Sequence, residues 1–206
     1  MSKELWLKRI RNIAGLLGMI LPWISLFGAW LAGPFDGAFW RNLSISETYY
    51  VTPALAGILT AASVVLVCYD GYEKKDNVVT TVSGIFGILI VLFPCDCGVA
   101  DLKVGYFQIP SSISNIIHCI SAASFFILLS FNSLFLFTLG ESDTRQKKMR
   151  NIIYKICGIG MIVSLSMVAL PFSFPAKTFI VEALALTFFG ISWLVKGGFM
   201  GILEDK

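Results

Sequence analysis

Residues 113–139, ISNIIHCISAASFFILLSFNSLFLFTL, run for 27 positions without a Lys, Arg, Asp or Glu. About 20 apolar residues in helical conformation cross the hydrocarbon core of a bilayer, so this run is long enough to span with tilt. Five further uncharged or nearly uncharged runs lie at 13–31, 51–69, 78–94, 152–172 and 178–195, the last two holding one charge each, Lys155 and Glu182. One soluble core does not need six such segments. The chain is therefore expected to be an all-α polytopic membrane protein, a bundle of about six transmembrane helices forming one domain over residues 1–206.

Composition agrees. Of the 206 residues, 56% are hydrophobic and 14% charged, against roughly 45–50% and about 25% in an ordinary soluble domain. The net charge of +3 comes from short basic clusters between apolar runs, which is an orientation signal and gives no support for nucleic-acid binding. Lys3, Lys8, Arg9, Arg11, Lys74, Lys75, Arg145, Lys147, Lys148, Arg150, Lys155, Lys196 and Lys206 fall on one side. Only Arg41, Lys103 and Lys177 fall on the other. The positive-inside rule makes the first side cytoplasmic, with both termini there. Trp30, Trp40, Tyr49, Tyr50 and Tyr106 are expected in the outer aromatic belt, and Trp6, Tyr69, Tyr72, Tyr154 and Trp193 in the inner one. The first run follows basic residues as a signal peptide does, but its apolar core is too long and lacks a small-x-small exit, so it is read as a helix. The longer loops, 32–50 and 95–112, lie outside, whereas the links 70–77 and 140–151 are short and charged.

Local signals place boundaries and contacts. Thr52 followed by Pro53 suits a helix cap and first helical position. Pro22 implies a kink in the first helix. Gly57, Ala61, Gly84, Gly87, Gly158 and Gly160 are small residues that permit close helix approach.

Ionisable groups within hydrocarbon are costly and usually functional. His118 and Glu182 both lie about one turn below the outer ends of helices four and six, at roughly the same depth, so they are expected to approach each other. Ser114, His118, Ser121 and Asn132 share a face of helix four. The segment Ser44 to Tyr50 enters at the same level. Ser46, Tyr49, Tyr50, His118, Ser121 and Glu182 are thus candidates for an outward-opening polar pocket. The plainer alternative is that His118 and Glu182 only hydrogen-bond neighbouring helices, at about 0.6 kcal/mol each. Lys196 reads as a cation snorkelling to the cytoplasmic edge beside Trp193.

Cys95 and Cys97 flank Asp96 on the outer side, where a disulfide, with Cys119 as another partner, is open to an odd set of five cysteines. A single histidine and no ligand spacing leave no metal or cofactor to assign. Asn42-Leu43-Ser44 matches a glycosylation acceptor, which matters only in a eukaryotic secretory pathway.

Ser44-Ile45-Ser46 with Tyr49-Tyr50, Tyr69-Asp70-Gly71-Tyr72, Leu92-Phe93-Pro94, His118 with Ser121-Ala122-Ala123, and Glu182 with Phe189-Gly190-Ile191-Ser192-Trp193 resemble a group of compact bacterial six-helix membrane proteins of unassigned function. Asn151, Tyr154 and Cys157-Gly158 extend the likeness along nearly the whole chain. It implies the fold and a bacterial inner-membrane location, and carries no activity with it. A thinner similarity links Ser46 and His118 to the alkaline-ceramidase-like membrane hydrolases. Those enzymes bury three histidines around a metal, which one histidine does not reproduce.

Three functional readings follow. The first is a non-enzymatic sensor, accessory or carrier with an outer-leaflet pocket for a lipid or small amphiphile. The second is an intramembrane hydrolase with His118 as base toward Ser46 or Ser121 and Glu182 orienting it. The third is a structural envelope subunit whose outer loops contact a partner. Membrane lipids are the expected partners, with a homo-oligomer or membrane partner also open.

Overall fold

A computed structural model of the chain describes all residues except 1, 34–35, 72–73, 100, 141–143, 202 and 204–206. Tyr72 and Lys206 therefore lie outside the described residues. The described residues are all-helical apart from one antiparallel pair of two-residue strands, β1 (Lys103–Val104) and β2 (Ile109–Pro110), in the loop after the fourth helix. Among them seven α-helices form: α1 (Lys3–Ala32), α2 (Gly37–Asn42), α3 (Ala54–Val67), α4 (Lys74–Leu92), α5 (Ser111–Phe131), α6 (Arg145–Ala169) and α7 (Lys177–Lys196).

Caps account for much of the difference from the expected spans. The Ser2 side chain accepts the Leu5 N–H, which starts α1 ten residues before the apolar run. Thr144 likewise caps Lys147 and draws the basic stretch 145–151, expected as a loop, into α6. Pro53 takes the cap position itself and α3 begins at Ala54, whose N–H is accepted by Thr52 Oγ1. The residues before it form a 3₁₀ turn at Glu47–Tyr50. Among the described residues five helices are thus long and apolar enough to cross a membrane, and α3, with 14 residues, is a shorter apolar helix. At α5's end Asn132–Leu136 continue as a π-turn.

The six longer helices close a ring in the order α1, α3, α4, α5, α6, α7 and back to α1. Successive helices are antiparallel, so the basic clusters collect at one end of the bundle. Small residues set the tightest seams. A Cβ on Gly15 would lie 2.9 Å from the Gly190 carbonyl, and one on Gly84 would lie 2.6 Å from the Ser63 carbonyl, bringing α1 onto α7 and α3 onto α4. Gly158 fits against Leu134, and Gly160 against the Phe188 ring. Gly57 has nothing within 4 Å of its Cβ position, so it makes no seam.

Polarity is distributed inside out. Large apolar side chains such as Ile13, Trp23, Phe27, Ile156 and Val163 stand on the exterior, while Ser25, Ser63, Thr80, Ser83, Ser114, Ser130, Asn132 and Ser192 are buried. An apolar surface of this extent is foreign to a soluble monomer and compatible with a transmembrane protein.

At the basic end Trp6 stands exposed, but the other aromatics described there turn inward and form a core. Tyr69, Tyr154 and Trp193 are only 2%, 1% and 0% exposed. Trp193 meets Tyr69 and Phe137 edge-on at 5.4 Å each, and Phe137 meets Tyr154 at 5.5 Å. Buried Arg11 donates to the Tyr69 hydroxyl through Nε and Nη2 at 3.0 and 2.7 Å. Lys196 does not snorkel outward. Its ammonium donates to the Phe137 carbonyl at 3.1 Å and lies over the Phe137 and Tyr154 rings, because aromatic faces and a helix-end carbonyl compete with water for it.

Candidate functional site

At the end away from the basic clusters, the segment before α3 is stitched to the start of α7. Ala176 and Phe179 donate their N–H groups to the Arg41 and Leu43 carbonyls at 2.7 and 3.1 Å. Leu43 and Ile45 are buried as anchors. One turn further along α7, Glu182 Oε2 accepts the Ile45 N–H at 2.6 Å, and Glu182 Oε1 lies 2.9 Å from the Ser46 hydroxyl. Within the segment, Ser44 Oγ accepts the Glu47 N–H and Thr48 donates to the Ile45 carbonyl.

The histidine is fixed from the other side. Pro94 stops α4 and leaves end-of-helix carbonyls to be satisfied from elsewhere. Ser114 and His118, one turn apart on α5, supply the donors. Ser114 Oγ reaches the Pro94 carbonyl at 2.7 Å, and His118 Nδ1 lies 3.0 Å from the Phe93 carbonyl and 3.3 Å from that of Ile90. Both Nδ1 neighbours are pure acceptors, so Nδ1 carries a proton. His118 Nε2 lies 3.1 Å from Ser46 Oγ.

Ser46 therefore stands between His118 and Glu182, and proton counting constrains the trio. Serine has one proton to donate. If it goes to an ionised Glu182, His118 Nε2 must itself be protonated to bond Ser46. If it goes to neutral His118, Glu182 must be protonated. The chain is fully bonded only when one further proton resides on Glu182 or on His118.

This trio borders a cleft of about 320 Å³ between the parts of α5, α6 and α7 that lie away from the basic end. Ser44, Glu47, Asp96, Asn115 and Thr178 add polar lining, and Ala122, Phe126, Leu165 and Val168 form the apolar wall. Ser46 and Glu182 also touch a smaller pocket of about 50 Å³, lined by Leu21, Leu55, Leu59, Phe125 and Leu186. The cleft lies where the ring is least tightly closed. α5 and α6 meet at Ser130, whose hydroxyl donates to the Gly158 carbonyl at 2.7 Å, but α6 then follows α7 more closely than α5. Val168, at the cleft edge, is 46% exposed.

The other sequence candidates sit beside the cleft. The Tyr50 hydroxyl donates to the Cys95 carbonyl at 2.6 Å, Tyr49 packs on the Tyr50 ring and the core, and Ser121 is buried on α5. None of the three lines the cleft. Glu47, Asp96 and Asn115 were not singled out as pocket residues in the sequence. Asn115 lies one turn before His118, which is the signal that would have found it.

Charge outside the helices is tuned locally. The Ser111 hydroxyl and Gly98 N–H hold the Asp96 carboxyl below the usual range. Burial pushes the Glu47 carboxyl upward, a backbone hydrogen bond from Ser44 opposing it. Burial pushes the Cys95 thiol up to about 12, so it stays protonated. All five cysteines are free thiols. Among the described residues no group of three His, Cys, Asp or Glu side chains is placed to hold a metal.

Compared with protein families, curated proteins and solved structures, the chain matches none.

Proposed function

We propose that the chain is a six-span protein of the bacterial inner membrane, termini in the cytoplasm, whose outer-leaflet cleft takes a lipid or small amphiphile. It serves as a sensor, accessory or carrier. The observation that carries this reading is the cleft's polarity gradient. Ser46, His118 and Glu182 supply a bonded polar head site, while Phe126, Leu165 and Val168 offer an apolar wall running away from it. Phe126 lies eight residues beyond His118 on α5, about 12 Å deeper, which suits an alkyl chain. The short α3 spans with help from the residues flanking it, at the cost of local bilayer thinning.

The test is lipid analysis of protein purified in its native membrane patches. Wild type is expected to retain a defined amphiphile that H118A and E182A lose. An identical lipid profile in all three proteins would refute the reading.

One observation favours hydrolysis as a second reading: Ser46 Oγ and His118 Nε2 are at dyad distance, with Nδ1 held by carbonyls. Against it, Glu182 bonds the serine and not the histidine, so it does not orient His118 as a triad acid would. A serine-reactive lipid probe that labels wild type but not S46A would favour hydrolysis.

A further inference from the structure

We infer that the cleft selects an amphiphile bearing a protonated amine on an aliphatic tail. This rests on the amphiphile reading above and adds the chemistry of the head group.

Three carboxylates border the cleft, Glu47, Asp96 and Glu182, and no Lys or Arg lines it. They arrive from three separate elements: the 3₁₀ turn, the loop after α4, and α7. His118 and Ser46 also line it, and with one shared proton the His118–Ser46–Glu182 trio is neutral overall; Ser44, Asn115 and Thr178 are uncharged. Lys177, beside Thr178, is committed to the Val168 and Leu170 carbonyls and lies 4.7 Å from the Phe172 ring centre.

The carboxylates are not spent on one another. Glu182 is bonded by Ile45 and Ser46. Asp96 takes the Ser111 hydroxyl at 2.8 Å and the Gly98 N–H at 3.0 Å, both on Oδ1. Neutral donors hold the Asp96 charge in place without cancelling it, so the net negative charge of the cleft comes from Glu47 and Asp96. A phosphate or carboxylate head entering here would meet like charges at Glu47 and Asp96. An ammonium head meets acceptors on three sides. The apolar wall below discriminates against small hydrophilic amines, because Phe126, Leu165 and Val168 have no polar group to offer them.

The experiment uses the full chain in phosphatidylcholine nanodiscs and follows its unfolding midpoint with dodecylamine, dodecanol and dodecanoate. Dodecylamine is expected to raise the midpoint saturably, with half-saturation about tenfold below that of dodecanoate. The isosteric E47Q/D96N variant is expected to lose that preference. Leu165→Trp, which fills the tail site, is expected to weaken all three probes. Equal or tighter dodecanoate binding, or a preference that survives in E47Q/D96N, overturns the amine assignment while the amphiphile cleft stands. If no probe gives a saturable shift sensitive to Leu165→Trp, the cleft reading falls with it. Should E47Q/D96N not fold, the order of the three probes on wild type decides.

Discussion

The Ser46 hydroxyl lies 2.9 Å from Glu182 Oε1, joining two residues 136 positions apart and completing a chain that ends on His118. Glu182 holds the loop before α3 against α7 through this bond and the Ile45 N–H. Glutamine keeps both roles, since its carbonyl accepts from Ile45 and its amide donates to Ser46, whose proton then turns to His118. Glu182→Gln is therefore expected to change stability little. Glu182→Ala strands a half-buried N–H and is expected to cost about 1–3 kcal/mol. Thermal unfolding of the two variants in one detergent checks the difference.

The pH dependence of the loop after α4 should follow Asp96. Its carboxyl is held below the ordinary range by Ser111 and Gly98, so the ionised form favours the folded loop. That stabilisation is complete above the usual Asp value and is lost as pH falls through the depressed folded value. The protection of residues 95–112 against hydrogen exchange, taken relative to the intrinsic rate at each pH, is expected to fall on acidification in wild type. In D96N the protection should already be low at neutral pH and should show less acid dependence.

Packing between α1 and α7 leaves no room for a side chain at Gly15. Gly15→Val is expected to destabilise by about 1–3 kcal/mol or more through overpacking. Gly57→Ala enters open space on α3 and is expected to be neutral or stabilising by up to about 1 kcal/mol. Denaturation of both in mixed micelles separates a helix seam from a helix face.

At the basic end, Tyr69→Phe removes the acceptor of two charge-assisted hydrogen bonds from buried Arg11. The expected cost is about 1.5–3 kcal/mol. An unchanged unfolding midpoint would mean that this pair does not help lock α1 to the end of α3.

Much of the architecture was legible because uncharged length and basic clusters are one-dimensional signals: residues 113–139 and 178–195 correspond to helices in the structure, with boundary shifts explained by caps such as Ser2 and Thr144. The approach of His118 and Glu182 was legible from depth alone. Their connection through Ser46 was not, because it depends on how residues 41–46 dock on the start of α7. Glu47 and Asp96 are not legible as cleft residues, since loop carboxylates look like ordinary surface charges until a cleft forms between them. Lys196 misled for the opposite reason: a cation at a helix end beside an aromatic fits snorkelling, and only the packing of Phe137 and Tyr154 turns it inward.

The most direct measurement is photocrosslinking of a diazirine-bearing alkyl amphiphile to the protein in its membrane, with the adducts mapped by mass spectrometry. Adducts are expected on Phe126, Leu165 and Val168, reduced by unlabelled competitor and lost in E182A. Labelling confined to the exterior residues Trp23, Phe27 and Ile156, indifferent to competitor, would contradict an occupied cleft between α5 and α6.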